Sequence, residues 1–175
     1  MNTIRFFLLL SLWLPLRGNA QTTPTTFLAK HTVFAELAGK GAVYSLNYDR
    51  IIRQAGLTWS VRAGTMYLPS TNITGASLFV PLAINAFTGK RNHHLEFSFG
   101  QTLRYFTGYT VEGQLVKGKL DYPLTFAGVG YRYQKPGGGL FASVTALPSF
   151  RPFRGVDGLR VDFLPWLGLG LGRSF

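Results

Sequence analysis

The sequence predicts an all-β protein, an eight-stranded antiparallel up-and-down transmembrane β-barrel preceded by a cleaved signal peptide. Three observations support this prediction: eight segments alternate bulky with small or polar residues, an apolar leader opens the chain, and charged residues (14%) are fewer than aromatic ones (15%). A membrane-spanning strand needs about 9–11 residues with apolar side chains at every second position. Because each strand gives a weak signal alone, the prediction depends on how many segments agree.

The first element, residues 1–20, has the three zones of an export signal. Arg5 supplies the positive zone, the apolar run at 6–14 follows, and small residues at positions 18 and 20 fit cleavage after Ala20. Pro15 ends the apolar run well short of the roughly 20 residues that a spanning helix needs. We therefore expect a signal peptide, a short N-terminal periplasmic segment at 21–30, and a barrel at 31–175.

The next elements are the strands. The eight predicted strands are 31–39, 42–52, 56–67, 76–87, 93–105, 123–134, 139–148 and 163–175. In the third, Leu57, Trp59 and Val61 alternate with Thr58 and Ser60. Eight strands leave an interior just wide enough for side chains, so the small and polar set is predicted inside and the bulky set outside, against lipid. A soluble lipocalin-like barrel, with these faces reversed, is the alternative fold.

The connections between the strands predict an orientation. Three are short (53–55, 88–92 and 135–138) and three on the other side are longer (68–75, 106–122 and 149–162). Outer-membrane barrels have short periplasmic turns and longer external loops. This pattern favours periplasmic termini, with an exception at the tight first turn near Gly39.

Composition limits the chemistry. Cysteine is absent, which excludes disulfides, a thiolate zinc site and a thiol nucleophile. The formal net charge of +11 favours anionic partners. Nucleic acid is not expected, because the chain carries an export signal and apolar strand faces. The predicted partners are therefore outer-membrane lipid and lipopolysaccharide, and no cofactor or metal is predicted.

Several segments carry a family resemblance. They are residues 36–39, 44–50, 62–64, the run Gly-Val-Gly-Tyr-Arg-Tyr at 128–133, and 163–175. Together they resemble the small outer-membrane β-barrel proteins of the OmpA/OmpX-like group. The resemblance implies integration in the bacterial outer membrane and transfers no catalytic residue. It also implies that the terminal Phe175 serves as the signal by which the barrel-assembly machinery recognises its clients.

Charged residues on the predicted inner face form the first candidate site. They are Glu36, Asp49 and Glu96 with Arg62, Arg104 and Arg132. Buried charges need partners, and Glu96 and Arg132 lie toward the same ends of neighbouring strands, so we predict a cross-strand pair. We expect a structural network that plugs the interior. The alternative is a narrow pore for ions or small solutes.

A second candidate combines His94, Glu96 and Ser98 on one strand face, the residue types of a nucleophile, a base and an orienting carboxylate. This set raises the alternative of a lipid A-modifying hydrolase. However, same-face neighbours on a strand lie roughly 6.6 Å apart along the chain. That spacing is poor for direct hydrogen bonds, so no catalytic residue is predicted.

The third candidate is the pair of longer loops. Basic residues lie among aromatic ones there, namely Lys117, Lys119, Arg151, Arg154 and Arg160. They are predicted to contact lipopolysaccharide phosphates or a surface partner; the alternative is loop solubility and interfacial anchoring. The sequence thus predicts a monomeric barrel with a structural or surface-interaction role and no catalysis.

Overall fold

The computed structural model describes residues 26–70, 75–109, 115–155 and 158–175. Within these ranges, only the backbone is described at 108–109, 115–119, 121–123, 151–155 and 158–162. The predicted signal peptide at 1–20 lies outside the described residues, as does the first half of the predicted 21–30 segment. No helix among the described residues is long and apolar enough to cross a membrane.

Eight strands form the described structure. They are β1 (His31–Ala38), β2 (Tyr44–Ala55), β3 (Leu57–Leu68), β4 (Ser77–Lys90), β5 (His93–Tyr109), β6 (Leu115–Gln134), β7 (Gly139–Gly155) and β8 (Gly158–Ser174). Each strand pairs with its neighbour in the chain, and β1 pairs antiparallel with β8 to close the barrel. Along the length of β1, this pairing leaves neither edge of the sheet open. The predicted all-β, eight-stranded, up-and-down barrel is confirmed.

The barrel has two distinct ends. At the terminal end, the segment 26–30 and Phe175 lie beside the short turns of the β2–β3, β4–β5 and β6–β7 hairpins. At the hairpin end, the strand pairs β1–β2, β3–β4, β5–β6 and β7–β8 are joined. The β1–β2 connection contains a single 3-10 turn, Gly39–Gly41, which we call the Lys40 turn.

Two predicted loops are largely strand, and this part of the prediction was wrong. The segments 106–122 and 149–162 belong to long hairpins in which Tyr109 pairs with Leu115 and Gly155 with Gly158. A strand of 17 residues such as β7 spans roughly 55 Å before tilt, so these hairpins run well past the short β1. Glycines and charged residues in both segments hid the alternation, whereas backbone pairing continues regardless of it.

The two faces of the sheet have opposite character. In β2, Ser45, Asn47 and Asp49 are buried, while Leu46 and Tyr48 between them are exposed. The same alternation runs through the described parts of the other strands. Most residues that face the bore are polar, charged or small, but several large apolar side chains also face it, which the sequence did not predict: Phe34, Ile51, Met66, Phe87, Phe126, Phe141 and Leu147. The predicted direction of the bulky side chains is therefore confirmed, and the lipocalin-like alternative is wrong about the faces.

Glycines of β8 make room inside the bore. A Cβ added at Gly170 would lie 3.2 Å from the ring of Phe34, and one at Gly168 would lie 3.2 Å from Glu36 Oε1. Phe34 and Glu36 on β1 lie opposite this glycine row. The large side chains of β1 therefore occupy the space that β8 leaves empty.

Candidate functional site

Six charged residues lie inside the bore. They are Glu36, Asp49, Glu96, Lys40, Arg62 and Arg132, each no more than 5% exposed. Three of these six groups are negative and three are positive. The sequence predicted five of the six, and it included Arg104 instead of Lys40.

Arg132 is the centre of one cluster. Its Nη1 donates to Glu96 Oε2 at 2.9 Å and its Nη2 donates to Asp49 Oδ1 at 2.8 Å. Its Nε and Nη2 also donate to Gln134 Oε1 at 2.8 and 2.6 Å. The predicted Glu96–Arg132 pair is confirmed. One guanidinium therefore joins β2, β5 and β6 across the bore.

Two aromatic rings enclose the same guanidinium. Its carbon lies 4.2 Å from the ring centre of Phe87 and 5.0 Å from that of Phe141. Guanidinium groups within about 6 Å of a ring face are attracted by its quadrupole. Both rings are buried, so the planar cation and the rings together fill a cross-section of the bore.

Asp49 has partners on both carboxylate oxygens. Besides Arg132 on Oδ1, its Oδ2 accepts from Ser60 Oγ at 2.8 Å and from Asn85 Nδ2 at 2.9 Å. A buried carboxylate with this many donors offsets much of the cost of leaving water. The cluster thereby extends to β3 and β4.

A second cluster lies toward the hairpin end. Arg62 donates to both oxygens of Glu36, from Nη1 at 3.1 Å and from Nη2 at 2.6 Å. Its Nε and Nη2 also donate to Asn47 Oδ1 at 3.1 and 2.8 Å. The guanidinium lies 4.7 Å from the ring centre of Phe34. This two-pronged geometry fixes Arg62 more firmly than a single contact would.

The Lys40 turn connects the two clusters. The backbone N–H of Lys40 donates to Glu36 Oε2 at 2.9 Å, and Thr102 Oγ1 donates to the Lys40 carbonyl at 2.5 Å. Lys40 Nζ lies 3.6 Å from Glu96 Oε1, an ion-pair distance longer than a hydrogen bond. The turn therefore folds inward instead of capping a surface hairpin.

The backbone of this connection has an unusual conformation. Ala38 and Ala42 have φ of +54° and +77°, values that residues with a Cβ seldom adopt. Gly39, with φ of +69°, adopts such a value at little cost. The sequence showed a Gly-Lys-Gly turn but gave no signal for its inward direction, because a lysine between glycines is equally suited to a solvent-exposed turn.

Arg104 lies apart from both clusters. Its side chain is half-buried near the hairpin end, with Nη2 donating to Ser77 Oγ at 3.1 Å. The guanidinium lies 4.8 Å from the ring centre of Phe106 and 5.4 Å from that of Phe79. Arg104 faces inward as predicted, and its contacts include the Ser77 hydroxyl and two aromatic rings.

The segment 26–30 closes the terminal end. Phe27 is 1% exposed and packs with Ile51 and Phe87, and its backbone exchanges two hydrogen bonds with the Gln54 side chain at 2.6 and 3.1 Å. The N–H groups of Leu28 and Ala29 donate to the Pro136 carbonyl at 2.9 and 3.0 Å. From the sequence, this segment was expected to be a simple N-terminal extension, and the burial of Phe27 in the end of the barrel was not predicted.

The set of His94, Glu96 and Ser98 faces the bore as predicted, but hydrogen bonds do not link it. His94 Nε2 donates to the Gln134 carbonyl at 3.2 Å, and Glu96 binds Arg132 and Lys40. Ser98 Oγ has no hydrogen-bond partner in the described part of the chain. The absence of catalysis stays a prediction. The described residues also contain no group of three His, Asp or Glu side chains that could hold a metal ion.

The predicted surface-binding residues lie in the long hairpins. Arg151 lies opposite Asp162, Phe153 opposite Arg160, and Phe106 opposite Lys119 in the backbone register. The side chains of Lys117, Lys119, Arg151, Arg154 and Arg160 are outside the described set, so lipopolysaccharide contact stays a prediction. Phe175 is 61% exposed, and its backbone forms two hydrogen bonds with His31.

The fold and the bore together define a small closed β-barrel with an ion-paired, polar interior. Comparison with protein-family models, curated proteins and solved structures finds no match for this chain. The OmpA/OmpX-like resemblance therefore stays a prediction from the sequence.

Proposed function

We propose that the chain is an integral barrel of the bacterial outer membrane, with a structural or surface-interaction role and a bore plugged by side chains. The observation that supports this most is the reversal of the usual soluble arrangement. Charged groups lie inside the barrel, and large apolar side chains cover its outside.

The outer face is apolar around the whole barrel. Ile84 on β4 is 52% exposed, Phe97 on β5 is 48% exposed, and Leu169 on β8 is 55% exposed. Soluble monomers rarely expose contiguous apolar patches beyond a few hundred Å². A bilayer would cover such a belt, and a closed barrel keeps all strand hydrogen bonds internal in hydrocarbon.

The bore supports a plug better than a conduit. Phe27 and Phe87 fill the terminal end, Arg132 lies between rings, and the Lys40 turn enters from the hairpin end. Balanced charges in one connected network hold these groups together. Such a network stabilises a fixed interior, whereas a water-filled channel would keep its charges hydrated.

The predicted export signal and the exposed terminal Phe175 favour the outer membrane and insertion by the barrel-assembly machinery. Lipid and lipopolysaccharide are then the expected surroundings, and a monomer suffices because the barrel closes on itself.

Reconstitution tests both parts of the proposal. The purified mature chain is placed in phospholipid vesicles, the vesicles are washed with alkaline carbonate, and they are then fused to planar bilayers for current recording. We expect the protein to stay with the membrane and to give no steady, large single-channel currents.

Each arm has its own contrary result. Release of the folded protein by the carbonate wash would contradict the membrane-spanning barrel. Retention with steady, large currents would contradict the plugged bore and favour the narrow pore.

A further inference from the structure

A ring of exposed cations surrounds the terminal end. Its members, which we call the basic collar, are Lys30, Arg50, Arg53, Lys90, Arg91, Lys135 and Arg173, all exposed. They come from the segment before β1, from β2, from the β4–β5 and β6–β7 turns, and from β8. The collar therefore reaches around the circumference instead of forming one local patch.

No described carboxylate side chain compensates this ring. The described acidic side chains are Glu36, Asp49 and Glu96, and all three are buried in the bore, where they bind bore cations. Seven cations thus lie at this end without an acidic side chain among the described residues to offset them, so the collar would attract a multiply anionic partner.

Two collar residues point sideways from the barrel. Arg50 follows inward-facing Asp49, and Arg173 precedes inward-facing Ser174, so both arginines lie on the outer face by alternation. Arg50 also lies two residues from exposed Tyr48. Arginines beside an apolar belt rest their stems on it and direct the charge to the adjacent polar layer. This placement fits lipid phosphates better than a soluble partner approaching along the axis.

An apolar groove begins at one of these arginines. It has a volume of about 790 Å³ on the outer face of β2–β5, and its lining includes Arg50, Tyr48, Ala63, Leu82 and Phe99. Ala63 lies between Tyr48 and Leu82 in the strand register, so a small side chain sits between two large ones. The groove has the size of a small-molecule site, roughly 300–1,000 Å³.

We infer that the basic collar binds the phosphates of anionic phospholipids, and that the groove beside Arg50 seats an acyl chain of one of them. The cation and the groove adjoin as the headgroup and tail of a lipid do. This inference rests on the proposed membrane-spanning barrel, because only that setting places the outer face among lipids.

Lipid titration followed by native mass spectrometry tests the collar. The folded chain in detergent is titrated with dioleoyl phosphatidylglycerol or with dioleoyl phosphatidylcholine, and retained lipids are counted. We expect tighter binding of phosphatidylglycerol. The variant R50Q/R53Q/R173Q should lose at least about tenfold of that affinity, since it removes three of the cations that attract the lipid phosphate.

A matched control keeps the charge at the same positions. The variant R50K/R53K/R173K retains three cations in the collar and should keep the phosphatidylglycerol affinity. The variant A63F tests the groove. It should reduce the affinity of the barrel for its most tightly bound lipid. A142F, at an outward position of β7, should not.

Equal affinities for the two lipids, or equal losses in the two triple variants, would contradict the binding of anionic phospholipid by the collar. Equal effects of A63F and A142F would overturn the groove. Each variant is checked for β-structure by circular dichroism, and single R50Q serves where the triple variant does not fold. The carbonate wash on the same preparation separates failure of this inference, with the protein retained, from failure of the proposed barrel.

Discussion

Single residues in this barrel act as cross-links between distant strands. Arg132 bonds to Asp49, 83 positions away in sequence, and to Glu96, 36 positions away. A buried ion pair is weak evidence for net stability, because desolvation opposes the attraction. Breaking it from one side is costly, however, since the remaining charges stay buried without a partner.

The variant R132M tests this residue. It would leave Asp49 without an ion-pair partner and Glu96 with Lys40 alone, and it should lower the free energy of unfolding by about 3–5 kcal/mol. The measurement is urea unfolding of the folded barrel in detergent. The double variant D49N/R132M removes the carboxylate that has lost its ion-pair partner, keeps the Lys40–Glu96 pair and should recover part of the loss.

R173M is the matched control, because Arg173 is an exposed arginine on the outer face near the same end. It should change stability by less than about 0.5 kcal/mol. Equal losses for R132M and R173M would show that the bore network does not stabilise the fold.

At the scale of elements, the alternation of residues predicted well which segments are strands and which side chains face the bore. It did not predict whether a turn folds into the bore or away from it. Residues such as Asn47 and Leu46 must lie on opposite faces once the strand exists, so their placement followed from sequence. The inward fold of the Lys40 turn depends on partners such as Glu96 and Thr102 that are far away in sequence. Local pattern carries no information on such contacts.

The segment 26–30 illustrates the same limit. The sequence shows an apolar residue, Phe27, ahead of the first strand. Its packing against Phe87 and Ile51 arises only when β2 and β4 come together in the barrel. The loop prediction at 106–122 failed for a related reason. Strand pairing there is maintained by the partner strand rather than by alternation in its own sequence.

The variant F27A tests whether the packing of Phe27 holds the segment 26–30 in the end of the barrel. Removing a buried ring should free the segment from the bore, so the amides of Leu28 and Ala29, which bond to Pro136, should exchange hydrogen at least about tenfold faster. The measurement is hydrogen exchange followed by mass spectrometry. The control L28A changes a neighbour that is 82% exposed and should leave exchange at Ala29 unchanged. Unchanged exchange in F27A would contradict the plug.

On the scale of the whole molecule, the barrel has three zones. The bore is polar and balanced in charge, the outer wall is apolar, and the terminal rim is basic. The sequence predicted the first two zones because they depend on strand period alone. It missed the third because the collar residues are scattered from Lys30 to Arg173 and meet only when the barrel closes.

The outward direction of the apolar wall into hydrocarbon is the central claim, and Trp59 tests it most directly. Trp59 lies on the outer face of β3 and is 38% exposed. In a W166F variant of the mature chain reconstituted in vesicles, its fluorescence should be quenched by phospholipids with brominated acyl chains and protected from acrylamide in the water. Strong acrylamide quenching with no effect of the brominated lipids would contradict the account.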